Sequence, residues 1–295
     1  MKNHDFHKKL LSLVLPIAFQ QFMLSLVGAS DAIMLGMISQ EALSAVSLAG
    51  QMMFVFNLFL TAFAMGTSML AAQYWGKGDS ESVAKILAFV LRTSLAVSLI
   101  FCFGTLLFPR QVMRFFTSEQ SLIDGGITYL QVSAVSYLMC GISQIYLCIM
   151  KNTGHAAKST LISSTAVVLN LGLNAILVFG LYGAPAMGIA GAALATVIAR
   201  GIEMVWAVLD SRKPGRIRWN MHYFIRPDKV LLRTYWKYSL PILGNQLAWG
   251  CGFTMYSVVM GHMGSDAVAA NSIANIVKNL MVGFCIGNGN GGSIL

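Results

Sequence analysis

Asp31 is the residue of this sequence whose chemistry most needs an explanation, because it is a carboxylate inside a long apolar run. On insertion scales, an ionisable side chain at the centre of a membrane helix costs about 2.5–3.5 kcal/mol, so such residues are kept for a purpose. Gln20 lies earlier in the run, on nearly the same helix face. A carboxylate in this setting can bind a proton or a cation. The alternative is a structural acid held by a hydrogen bond.

A polar stripe on another apolar run offers partners for this carboxylate. Ser163, Asn170 and Asn174 are spaced i, i+7 and i+11, which places them on one face of a helix. Amide side chains that face a carboxylate can stabilise its charge or complete an oxygen cage around a cation. Asparagine also joins membrane helices to one another by hydrogen bonds, and the stripe alone fits that role equally well.

Further charged residues lie within later apolar runs. Arg200 and Glu203 are three residues apart, a spacing that predicts an ion pair within one helix near the membrane interface. Lys278 lies in the middle of the last run, beside Asn275 and Asn279. We expect Lys278 to face a wet interior, because a lipid-facing lysine at that depth would be costly.

The elements that must position these residues are membrane-spanning helices. Of 295 residues, 56% are hydrophobic and only 11% are charged, whereas soluble domains carry about 25% charged residues. About 20 apolar residues suffice to cross a bilayer as a helix. The sequence therefore predicts an all-α fold, a polytopic membrane helical bundle with eight spans. These spans cover residues 10–37, 43–73, 86–108, 126–150, 160–182, 186–209, 238–262 and 267–292.

Lysine and arginine residues are distributed unevenly between the two sides of this bundle. Fifteen of the 20 fall on the side of the N-terminus, and only Arg110 and Arg114 lie in a loop on the other side. Cytoplasmic loops carry such an excess, so we expect a multi-pass plasma-membrane protein with a cytoplasmic N-terminus. Eight of the fifteen lie in residues 210–237, which predicts a basic linker on the anionic inner leaflet. Because the topology accounts for the net charge of +9, we expect no nucleic-acid partner.

An internal repeat organises the chain. Residues 15–70 match residues 240–295 without a gap, and both copies enter the membrane in the same direction, as in the parallel repeats of some secondary transporters. We therefore predict a complete six-helix N-terminal lobe at 1–209, the linker at 210–237, and the first two helices of a second lobe at 238–295. Because the second copy stops early, we expect a chain truncated at its C-terminus.

Motifs of catalysis and of ATP binding do not occur in the sequence, which has no H-E-x-x-H, Walker A or G-x-S-x-G pattern. Its five cysteines lie in apolar runs without C-x-x-C spacing, so we predict no disulfide and no metal site from them. An enzyme is therefore not expected. Active transport would depend on an ion gradient, and the remaining alternative is a fragment that does not transport.

Several segments resemble the multidrug and toxin extrusion (MATE) family. Residues 15–21 (LPIAFQQ) and 31–36 (DAIMLG) resemble its first helix, and residues 66–79 resemble the end of its second helix and the loop that follows. Residues 170–180 and 188–196 resemble its fifth and sixth helices. The resemblance covers the whole chain through the order and spacing of these segments.

This resemblance implies an antiporter of twelve helices in two lobes that open alternately, exporting cationic amphipathic drugs in exchange for H⁺ or Na⁺. It implies no cofactor, small organic cations as substrates, and a monomer at full length. Asp31 would bind the coupling cation, with Asn170, Asn174 and Thr196 completing the polar site. Many relatives carry an acid at the position of Asn174, and this departure favours H⁺ over Na⁺; Na⁺ at Asp31 is the alternative.

Other polar residues are predicted to line the central cavity. These candidates are Gln20, Gln21, Asn245, Gln246 and Lys278. Many relatives have a glutamate near Asn245 and Gln246, which again disfavours Na⁺. The runner-up function is a lipid-linked oligosaccharide flippase of the same superfamily, whose members hold a diphosphate with cationic residues.

Overall fold

The computed structural model describes residues 30–183, 185–225 and 228–292, with the backbone alone for residues 182 and 279–292. Across this part of the chain the protein forms ten α-helices and one 3₁₀ turn, Leu181–Gly183, and no strand. The helices are α1 (30–38), α2 (Gln40–Gly76), α3 (Ser80–Leu107), α4 (Pro109–Phe116), α5 (Gln120–Asn152), α6 (Ala156–Phe179), α7 (Gly188–Ser211), α8 (Met221–Ile225), α9 (Lys229–His262) and α10 (Ser265–Gly292).

Five of the described helices are long and apolar enough to cross a membrane: α2, α3, α5, α6 and α7. The predicted spans 43–73, 86–108, 126–150, 160–182 and 186–209 fall on these helices within a few residues. The all-α membrane fold is therefore confirmed. Most of the predicted first span, with Gln20 and Gln21, lies outside the described residues.

The predicted spans 238–262 and 267–292 lie within α9 and α10, which are 34 and 28 residues long. Neither helix is among the five most apolar ones. In α9 the apolar run contains Pro241, Asn245 and Gln246, whose polarity lowers its hydropathy. At 1.5 Å per residue both helices are nevertheless long enough to cross about 30 Å of hydrocarbon.

The linker is shorter than the predicted 210–237. Helix α7 continues to Ser211, and α9 already begins at Lys229. The cause is a helix N-cap: Asp228 Oδ1 accepts a hydrogen bond from the backbone N–H of Val230 at 3.0 Å. Polar residues that the hydropathy pattern assigned to the linker therefore form the first turns of a helix.

Helix α4 is a feature that the sequence analysis did not predict. It follows α3 directly and begins with Pro109, which is well suited to the first turn of a helix. Met113 and Phe116 are buried on one face, while Arg110 and Arg114 are exposed on the other. At eight residues the helix is too short to cross the membrane, so it lies along the surface of the bundle.

Helix α5 occupies the middle of the bundle and packs against α2, α3 and α7. Its approach to α3 is close: the Ser94 hydroxyl donates to the Gly141 carbonyl oxygen at 2.8 Å. A side chain at position 141 would meet the Ser98 hydroxyl at 2.0 Å. Small residues and hydroxyl hydrogen bonds hold membrane helices together where apolar burial alone supplies little driving force.

The internal repeat is visible in how the helices begin and meet. Helix α2 begins at Gln40 and α10 at Ser265, which are equivalent positions of the two copies. The Ser272 hydroxyl donates to the Ser47 hydroxyl at 2.7 Å, across a separation of 225 residues. This contact therefore joins equivalent positions of the two predicted copies.

Helix α9 packs along α2 for most of its length. The Tyr235 hydroxyl donates to the Phe63 carbonyl oxygen at 3.1 Å, and Tyr235 is fully buried. Further along, Gly250 brings the α9 backbone against Leu58 of α2, while Gly261 lies against the Phe116 carbonyl of α4 and Leu48 of α2. The helices after the linker thus pack directly on the first lobe.

Candidate cation-binding site

Asp31 lies on α1, and its carboxylate is positioned by the packing of Leu35, one helical turn later. Leu35 is 2% exposed and belongs to a small apolar cluster with Leu43 of α2, Val178 of α6 and Ala192 of α7. This cluster holds α1 against the α6–α7 pair. The Asp31 side chain is thereby placed beside the polar face of α6.

Four predicted residues form one hydrogen-bonded chain across α1, α6 and α7. The Asn174 amide donates to the Asp31 carboxylate, and the same nitrogen lies 3.4 Å from Asn170 Oδ1. The Asn170 amide donates to Thr196 Oγ1 at 3.4 Å, and the Thr196 hydroxyl donates to the Ala192 carbonyl oxygen at 3.1 Å. The structure therefore brings together the four residues that the sequence analysis assigned to cation coupling.

Asn174 lies at the centre of this hydrogen-bonded network and carries an unpaired acceptor. Its side chain is 1% exposed, and its Oδ1 has no hydrogen-bond partner among the described residues. Leaving a buried acceptor unpaired costs about 1–3 kcal/mol. Carboxylate and amide oxygens are ligands that hard cations accept, so Oδ1 beside Asp31 is available to a cation or to an ordered water.

A second charged group lies further along α6 and α7. Arg200 Nη1 is 2.7 Å from Glu203 Oε2, and Glu203 is 1% exposed, which confirms the predicted ion pair. Ser163 donates to Glu203 Oε1 at 3.4 Å. Ser163 is thus a partner of Glu203, and its assignment to Asp31 was wrong. Eleven residues of α6 separate it from Asn174, about 16 Å along the helix.

Tyr129 of α5 is a site residue that the sequence analysis missed. Its side chain is half-buried and lies within hydrogen-bond reach of the Thr196 side chain. It therefore adds a hydroxyl from α5 to the polar group around Thr196. An uncharged aromatic residue within an apolar span gives no sequence signal that separates it from ordinary core residues.

The remaining described candidates lie on the α9–α10 side of the bundle. Lys278 Nζ is 4.3 Å from the centre of the Phe253 ring, within cation–π distance. Phe253 stacks on Trp249, with ring centres 5.7 Å apart. The Gln246 amide points to the Met65 sulfur at 3.9 Å, and Asn245 is exposed. Lys278 is exposed and its ammonium lies over an aromatic ring; a wet interior around it stays a prediction.

Comparison with known proteins gives consistent results. Residues 16–176 match the family model described as MatE. The chain is 27% identical over 278 residues to a probable multidrug resistance protein NorM of Agrobacterium fabrum, covering 90% of this chain and 58% of that protein. It is 23% identical over 264 residues to an uncharacterised transporter, YisQ, of Bacillus subtilis, covering 88% and 57%. The chain thus spans less than two thirds of the length of these curated relatives.

Solved structures show the same fold. The chain superimposes with a TM-score of 0.83 and 19% identity on an outward-facing multidrug resistance MATE family transporter of the MOP superfamily, covering 97% of this chain and 63% of that one. A MOP superfamily transporter from Pyrococcus furiosus gives a TM-score of 0.82 at 20% identity, covering 96% and 62%. At such identities the likeness concerns the fold alone.

Proposed function

Because the chain belongs to the MatE family of multi-pass membrane transporters, and is therefore not an enzyme, we propose that the protein exports cationic amphipathic drugs and toxins in exchange for a cation. Multidrug resistance proteins among its relatives support this substrate class. The coupling ion, the substrates and the activity of the whole protein are parts of this proposal.

The observation that carries the proposal is the hydrogen-bonded chain that ends at Asp31, with the unpaired Oδ1 of Asn174 beside it. A proton or cation bound here neutralises the carboxylate and changes its attraction for the Asn174 amide. Leu35 on the same helix packs in a cluster that also contains Ala269 of α10. A change at Asp31 can therefore shift α1 relative to both the α6–α7 pair and α10.

H⁺ is the coupling ion that this geometry favours. A proton needs one carboxylate, which Asp31 supplies. A hard metal cation takes about six oxygen ligands, whereas Asn170 Oδ1 already accepts from the Asn174 amide and Thr196 Oγ1 already accepts from the Asn170 amide, both at 3.4 Å. Na⁺ bound at Asp31 and Asn174 Oδ1, completed by water, is the competing arrangement.

The same geometry disfavours an oligosaccharide flippase, which would need free cationic side chains to hold a diphosphate. Arg200 is paired with Glu203 at 2.7 Å, and Lys278 lies against Phe253. A substrate that carries its own positive charge does not require either cation. We therefore favour organic cations as the substrate class.

Orientation and assembly complete the proposal. The excess of lysine and arginine residues in the 212–228 linker and on the same side of the bundle supports a plasma-membrane protein with a cytoplasmic N-terminus. The repeat places the start of a second lobe in the same chain as the first, which supports a transporter that works as a monomer.

The test is ethidium efflux from cells that express the full-length protein, with the proton and sodium gradients collapsed separately. We expect efflux to stop when the proton gradient is lost, and Asn170→Ala to reduce efflux strongly. Thr165→Ala is the matched control, since among the described residues this hydroxyl on the same helix bonds only the Leu161 carbonyl oxygen, at 2.8 Å. Efflux that survives the loss of both gradients, or equal efflux in the two variants, would contradict the proposal.

A further inference from the structure

A cavity of about 480 Å³ opens where the linker passes the first turn of α3. Ligand pockets commonly have volumes of about 300–1,000 Å³, so the cavity can hold a small polar group. It is separate from the Asp31 site, which lies among α1, α6 and α7. Its lining residues are Ser80, Glu81, Ala84, Arg216, Ile217, Arg218, Trp219, Asn220 and Tyr223.

One buried residue fixes the linker beside α3. Ile217 is 8% exposed and packs in the main apolar core, which also contains Val83 of α3 and Leu231 of α9. Arg216 and Arg218 flank Ile217 in the chain and both line the cavity. The core contact therefore holds two guanidinium groups at one wall.

These two arginines have spare hydrogen-bonding capacity. Arg216 Nη2 is 3.3 Å from Asp210 Oδ2, but its Nη1 is buried with no hydrogen-bond partner among the described residues. Arg218 is exposed and forms no ion pair within the described part of the chain. An unpaired buried guanidinium nitrogen indicates a missing acceptor, because burial without a partner is costly.

The acidic residue of the cavity is already neutralised. Glu81 Oε1 forms an ion pair with Lys85 Nζ at 2.9 Å. The same oxygen accepts a hydrogen bond from the Tyr223 hydroxyl at 3.3 Å. The Lys85 ammonium also lies 5.6 Å from the centre of the Tyr223 ring. The charge that remains available in the cavity is therefore positive.

Apolar side chains surround this positive cavity. Trp219 is 42% exposed, and on the short helix α8 Met221 and Ile225 are 53% and 61% exposed. Tryptophan at the headgroup level and exposed aliphatic side chains on a short helix are typical of segments that lie in the membrane interface. These side chains therefore favour a position of both arginines at the level of lipid headgroups.

We propose that this cavity binds the phosphate headgroup of an anionic phospholipid, with Arg216 and Arg218 on the phosphate and Trp219 beside the upper acyl chains. Guanidinium groups match phosphate oxygens with two parallel hydrogen bonds, and basic pockets on the cytoplasmic side of membrane proteins bind such headgroups. The assignment of this site does not rest on the proposed transport activity. Only its assignment to the inner leaflet rests on the proposed orientation.

The binding test is native mass spectrometry of the delipidated full-length protein, titrated with phosphatidylglycerol or with phosphatidylcholine of the same acyl chains. We expect one phosphatidylglycerol molecule to bind before any phosphatidylcholine. Inorganic phosphate at millimolar concentration should not displace it, because phosphate lacks the acyl chains that contact Trp219. Equal binding of both lipids, or displacement by phosphate alone, would overturn the proposal, the latter in favour of a soluble anion site.

Three variants locate the site. Arg218→Gln should weaken phosphatidylglycerol binding about fivefold, the effect expected of one arginine near a headgroup. Arg212→Gln, which removes the same charge from the linker outside the cavity, should have a much smaller effect. Ala84→Phe fills the cavity without changing charge and should also weaken binding. Equal losses in Arg218→Gln and Arg212→Gln, or full binding in Ala84→Phe, would show diffuse surface attraction and refute a built site.

Discussion

Replacing Asp31 with asparagine should stop transport without destabilising the protein. A hydrogen bond to a charged group contributes about 1.5–3 kcal/mol and a neutral one about 0.5–1.5 kcal/mol, so the contact with Asn174 weakens by about 1 kcal/mol. The variant also avoids up to about 2.5–3.5 kcal/mol for inserting an ionisable side chain. The two terms together predict a free energy of unfolding that is unchanged or higher by up to about 1.5–2.5 kcal/mol.

The stability of the Asp31→Asn variant can be measured by thermal unfolding in detergent, with a thiol-reactive fluorogenic dye that reports unfolding. Cys102, Cys140 and Cys148 are free and buried, so they react only when the bundle opens. Cys251 is exposed and should be replaced with serine in every sample to lower the background. Ethidium efflux from cells expressing the same variants reports transport in parallel.

Asp124→Asn is the matched control for this experiment. Its carboxylate accepts a hydrogen bond from the Gln120 amide at 2.9 Å, but it lies exposed at the start of α5. This variant should transport normally. A structural acid at position 31 would give the opposite pattern, with a melting temperature several degrees lower and efflux retained. That outcome would refute the assignment of Asp31.

Three further predictions concern the helices that hold the site. Ser47→Cys combined with Ser272→Cys should form a disulfide on mild oxidation, because the two hydroxyls are 2.7 Å apart. Efflux by the double variant should then stop until reductant is added. Either single variant should stay active. Gly191→Ala should lower the free energy of unfolding by about 1–3 kcal/mol, because the added Cβ would lie 2.5 Å from a backbone oxygen of α6. Gly172→Ala, where the added Cβ meets open space, should leave stability unchanged or raise it in the same thermal assay. Lys278→Met should lower the free energy of unfolding by no more than about 2 kcal/mol, because it removes the cation–π contact with Phe253. It should retain efflux of monovalent organic cations, and loss of that efflux would show that Lys278 takes part in transport.

Local patterns in the sequence determined much of the architecture. Apolar runs longer than about 20 residues predicted the five most apolar helices, because length and hydropathy are sufficient for insertion. The repeat predicted equivalent starts for α2 and α10, and the structure has them at Gln40 and Ser265. The helical period placed Asn170 and Asn174 on one face, and both lie in the chain that ends at Asp31.

Only the tertiary structure determined which residues of each helix belong to which site. Ser163 lies on the same stripe as Asn174 but bonds Glu203, because the spacing along α6 puts the two ends of the stripe beside different residues of α7. Hydropathy could not locate the start of α9, because an Asp228 cap within a polar segment determines it. Tyr129 became a site residue through the packing of α5 against α7. A sequence pattern determines which face of a helix is polar, whereas the partner of that face depends on which helices pack beside it and at what depth.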